Sequence, residues 1–217
     1  MKREGFLVAA LLWGCVATSA TAAGSSPLDV DPSPYRSASP SATIAVRVYA
    51  EARPKVPETP LTQTTILLLP RSKALLTRFA DIKAGARDSL AKYRSAVDAL
   101  RRTQDELVKA LGDAAAEDLV RRVDVSASGT ARFETIPPGD WMLVAWHSEF
   151  IDTPGAKTSR RERRMYTLGQ PLEGYRAVRI WLRELVVVPG GQEAVELTDR
   201  NVWLSGVEEV ARTGTDR

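Results

Sequence analysis

Between residues 43 and 49 apolar side chains fall at every second position: Ile44, Val46 and Val48 on one side, Ala45 and Arg47 on the other. That spacing predicts a strand with one buried face. The segment EARPKVPETP that follows carries three prolines, which cannot donate to a ladder, so it reads as a loop. Thr64 to Leu69 then supplies a second, more fully buried strand ended by Pro70. From Ser72 to about Arg122 the period changes to three and four: Phe79, Ile82, Ala86, Leu90, Tyr93, Val97, Leu100, Gln104, Leu107 and Leu111 form one stripe with no proline inside it. Ser72 is the expected N-cap, Gly85 a break and Gly112 the end of the main helix, with a last short helix from 114 to 122. A straight helix over 88–111 would run about 36 Å. Its stripe packs on its own domain or meets a partner or a second copy.

Period two returns in 123–125, 131–133 and 141–146, where 141, 143 and 145 share a face. It continues in 176–188, where Val178, Ile180 and Leu182 alternate with Arg179, Trp181 and Arg183. Pro189-Gly190-Gly191 turns the chain toward a last strand at 194–197. The pattern predicts a mainly β fold: an antiparallel sandwich of about seven strands over 43–206, carrying a helical insert at 72–122 and ending in a flexible tail at 207–217.

The amino terminus has a different character. Lys2 and Arg3 precede an apolar run of 12 residues from Phe6 to Ala17, and Ala20-Thr21-Ala22 has the small-x-small form of a peptidase site, so residues 1–22 read as an export signal. The run is shorter than the roughly 20 residues a membrane span needs. Leu12-Trp13-Gly14-Cys15 resembles a bacterial lipobox, which sets a second address beside free export to the periplasm or exterior: an anchor on lipidated Cys15. The Ser/Pro-rich residues 23–42 read as a disordered linker.

The stretch VDVSASGTARFETIPPGDWMLVAW, residues 123–146, resembles the carboxypeptidase regulatory-like, transthyretin-like β-sandwich family. Gly129 matches that family's turn glycine, Phe133 its strand aromatic, Ile136-Pro137-Pro138-Gly139 its turn, and Trp141 and Leu143 its inward pair. Ser126 and Ala131 stand where an aspartate and an aromatic are common. The resemblance implies a transthyretin-like or immunoglobulin-like sandwich, of a kind grafted onto many exported proteins.

Composition narrows the chemistry. The 217 residues include one cysteine and one histidine, His147, which excludes a disulfide framework and leaves no ordinary histidine set for catalytic zinc. His147 precedes Ser148, but adjacent strand residues face opposite ways, so they make no catalytic pair. No phosphate-binding glycine loop occurs. The chain is therefore expected to be non-catalytic, without cofactor or metal. Removal of 1–22 leaves a net charge of +2, and global charge points to no nucleic acid. Residues 157–183 are locally +6, with Arg160, Arg161, Arg163, Arg164 and Arg179 near Trp181. Arginine beside aromatics binds carboxylates, phosphates and sugar faces. These six are the candidate binding residues. The expected role is an exported binding or scaffolding module that meets an envelope protein, through the helical insert, with an anionic polymer or a glycan held by Trp146, Trp181 or Trp203 as the alternative. The membrane enters only through a lipidated Cys15.

Overall fold

The computed structural model describes residues 30–36, 40–151 and 172–211. The predicted export signal, Cys15, and Arg160, Arg161, Arg163 and Arg164 lie outside the described residues.

Two sheets, mainly antiparallel, form a sandwich, and a pair of helices adds a third layer. In the first sheet β1 (Ala42–Ala50) is central. β8 (Gln192–Thr198) runs parallel to it on one edge. The other edge is shared by β5 (Thr130–Ile136), along 42–47, and the two-residue β2 (Thr59–Pro60), along 49–50. The second sheet has the order β4-β3-β6-β7-β9, from β4 (Arg121–Asp124) through β3 (Thr64–Pro70), β6 (Gly139–Ile151) and β7 (Leu172–Val187) to β9 (Leu204–Ala211), antiparallel throughout. Nine strands are thus described where the pattern predicted about seven. β2 is too short to leave a periodic trace, and β9 takes in residues assigned to the tail.

The helical insert is two helices, α2 (Lys73–Gly85) and α3 (Leu90–Asp113). Ser72 caps α2, its hydroxyl accepting from the Leu75 N–H at 3.1 Å, and Ser89 caps α3 by the same bond to Lys92. Past Asp113 only a 3-10 turn, Glu117–Leu119, precedes β4, instead of the short helix expected over 114–122. Phe79, Val97, Leu100, Leu107 and Leu111 are buried with Met142, Val144, Val178 and Ile180 in one core. The stripe therefore packs on its own domain. Leu90, in the first turn of α3, is exposed.

The second sheet is consequently covered on both faces, which is why Trp141-Met142-Leu143-Val144-Ala145 is buried residue after residue and not alternately. Odd members of β6 face the first sheet, where Ile44, Val46, Val48 and Leu197 meet them, and even members face the helices. Trp181, opposite Ala145, shares the inner face, and its indole N–H donates to the Thr198 carbonyl of the other sheet at 2.8 Å.

One chain segment departs from the linker reading. Ser33–Arg36 is a helical turn, α1, and Tyr35 within it is buried. Its ring meets Trp141 edge-on at 5.0 Å and its hydroxyl donates to the Asp140 carbonyl. The buried ring of Tyr35 seats this one helical turn, in a segment whose composition shows no period.

Candidate functional site

α3 does not cover the whole outer face of the second sheet. Where it lifts away from β3 and β4, a cleft of about 490 Å³ opens between helix and sheet. The helix contributes Arg101, Gln104, Asp105 and Val108; β3 and the residue before it contribute Gln63, Thr65 and Leu67; Arg122, Trp146, Ser148 and Arg176 come from β4, β6 and β7. Thr65, Leu67 and Arg122 share the helix-facing side because the ladder pairs Leu67 with Val144 on one strand and with Arg122 on the other.

Trp146 forms part of the floor. It is only 8% exposed, and its indole N–H donates to Gln104 Oε1 at 2.9 Å. This bond accounts for a glutamine inside an apolar helical stripe: the amide satisfies the one polar atom of a buried ring. Arg101 lies over the same ring, 5.2 Å from its centroid, and also pairs with Glu208 of β9 at 2.8 Å. Among the described residues neither Arg122 nor Arg176 has an ion-pair partner. The lining thus presents three guanidinium groups against one carboxylate, Asp105. Asp124, beside Arg122 on β4, accepts from the Thr65 hydroxyl at 2.6 Å.

The sequence candidates are distributed differently. Arg176 enters the cleft, but Arg179, three residues on, falls on the opposite face of β7 beside His147. Trp181 is fully buried, so it is core and presents no ring to a ligand. Trp203 is half-buried between Phe79, at 6.0 Å, and the Lys83 ammonium, at 4.6 Å from its ring. The three tryptophans therefore line no common concave surface. Arg101, Arg122, Gln104 and Ser148 escaped the sequence reading because they converge from three elements, α3, β4 and β6; the one local signal was the polar Gln104 in an apolar stripe.

His147 and Ser148 do face opposite ways. Ser148 lines the cleft; His147 is buried on the sandwich side, 3.2 Å from the Thr64 hydroxyl. That hydroxyl donates to the Leu61 carbonyl at 2.7 Å, so the His147 Nδ1–H is the donor to it. Burial, and secondly the nearby Arg179 charge, hold the imidazole below its usual range. Among the described residues no group of three His, Cys, Asp or Glu side chains is placed to hold a metal ion, and no helix is long and apolar enough to cross a membrane.

No family model and no curated protein matches the chain. Among solved structures, the chain is similar to a candidate carbohydrate binding protein from Pseudomonas aeruginosa, at 14% identity and a TM-score of 0.43, over 78% of this chain and 97% of that one.

Proposed function

We propose that this chain is an exported, non-catalytic binding module of the carboxypeptidase regulatory-like kind, and that the cleft under α3 takes an anionic group. The observation that carries the reading is the convergence of Arg101, Arg122 and Arg176 on one concave surface, with Arg122 and Arg176 lacking ion-pair partners among the described residues. Guanidinium forks recognise carboxylates and phosphates through paired N–H donors, and the neighbouring Gln63, Thr65 and Ser148 add neutral hydrogen-bonding groups. The volume suits a small acid or one to two units of an acidic polymer.

This favours the anionic-polymer alternative over a protein contact through the helical insert, whose apolar face is already spent on the sheet. It also moves the binding residues: of the basic run at 157–183, Arg176 is the described member that reaches the cleft.

Titration of the protein with oligogalacturonate and with pyrophosphate, read by tryptophan fluorescence, tests it. At least one of these anions should bind, neutral oligogalactose should not, and binding should weaken as salt rises. The double variant Arg122→Gln/Arg176→Gln should lose at least tenfold in affinity with an unchanged melting temperature. Equal binding of the neutral sugar, or unchanged affinity in the double variant, refutes the reading.

A further inference from the structure

The third cationic group of the cleft is not idle. Arg101 reaches across from α3 to Glu208, whose side chain is only 14% exposed, and the same guanidinium lies over Trp146. Glu208 also stands opposite Arg176 in the β7–β9 ladder, so one carboxylate of the protein's own, outside the lining, holds a guanidinium that lines the cleft. From this arrangement, and resting on the anion-binding reading above, we infer that Glu208 is a built-in competitor: the cleft's ligand carries a carboxylate, which takes the place of Glu208 on Arg101.

The chemistry selects a carboxylate over a phosphate. A ligand carboxylate exchanges one planar monoanion for another on the same guanidinium fork, at little electrostatic cost. A dianionic phosphate brings a second negative charge close to Asp105, which lines the cleft, and toward Glu208, which is paired to the lining residue Arg101. The competitor also sets a threshold. An isolated acid must displace Glu208 unaided, whereas an oligomer already held by Arg122 and Arg176 presents its next carboxylate at high local concentration.

Affinities for oligogalacturonate and for pyrophosphate are measured with the wild-type protein, Glu208→Gln, Arg101→Gln/Glu208→Gln, and Glu193→Gln as a charge-matched change on the other sheet. Glu208→Gln should bind oligogalacturonate about fivefold more tightly, in proportion to the release of one partly exposed ion pair. Glu193→Gln should stay within twofold of wild type, the gain should vanish in the double variant, and pyrophosphate should bind more weakly than oligogalacturonate throughout. Unchanged or weaker uronate binding by Glu208→Gln, or an equal gain in Glu193→Gln, overturns the competitor while leaving the cleft reading intact. Preferential binding of pyrophosphate overturns the carboxylate assignment. Absence of binding of either anion by every variant overturns both the competitor and the cleft.

Discussion

Single residues carry the contradictions in this fold, and each has a local physical cause. Thr135 adopts φ 54°, unusual for a β-branched residue, at the point where the β1–β5 register slips between Ala42 and Ile44. The slip leaves Glu134 and Thr135 opposite a single residue, a bulge that aims Ile136 into the core just before the Pro137-Pro138 turn. Gly129, at φ 77°, is a glycine for two reasons: its backbone lies in the left-handed region, and a Cβ there would come 2.8 Å from the Val48 carbonyl. His147 makes stability depend on pH. Its folded pKa lies below the unfolded value of about 6.5. The stabilising contribution of the neutral ring is therefore complete above about 6.5 and is lost as pH falls below it, because the unfolded chain takes up the proton first. Urea midpoints measured at pH 7.5 and 5.5 should fall across that interval, and the fall should shrink in His147→Gln.

At the level of elements, β9 shows why a strand can hide. Leu204-Ser205-Gly206-Val207-Glu208 has no clean alternation because the helix-facing position that would hold an apolar residue is Gly206, into which Val97 of α3 packs. A Cβ at 206 would overlap the Val97 methyl, so α3 could not approach β9 as it does. Gly206→Ala should destabilise the protein by about 1–3 kcal/mol through overpacking. Adding Val97→Ala should recover part of that loss, because the two residues compete for one space. Denaturant midpoints of the single and double variants measure both effects, and simple additivity would show that the helix does not seat here. α3 itself was legible in its period, caps and length, since those properties are local. Its docking surface was not, and neither was the gap it leaves over β3 and β4.

For the whole molecule the decisive feature is the third layer. A sandwich alone would expose one face of each sheet. Here α2 and α3 cover the second sheet, and Tyr35 closes one end against Trp141. Tyr35→Ala should therefore cost about 3 kcal/mol by opening a cavity beside Trp141, while Tyr35→Phe, which keeps the ring and loses the hydroxyl's hydrogen bonding, that to the Asp140 carbonyl included, should cost about 1 kcal/mol. Thermal unfolding of the two variants separates packing from hydrogen bonding.

Hydrophobic period, turn chemistry and capping residues were enough to read a β-sandwich with a helical insert, because each depends on neighbours within a few positions along the chain. The same residues could not say which faces meet. Trp181 and Arg179 look alike as members of an alternating strand, yet one bridges the sheets and the other sits beside a buried histidine. Arg101, Arg122 and Arg176 are unremarkable where they stand in the chain. They make a binding surface only because α3 crosses a sheet whose strand order, β4-β3-β6-β7-β9, is set by pairing between distant segments, and burial of apolar area rewards that pairing without leaving any short-range trace.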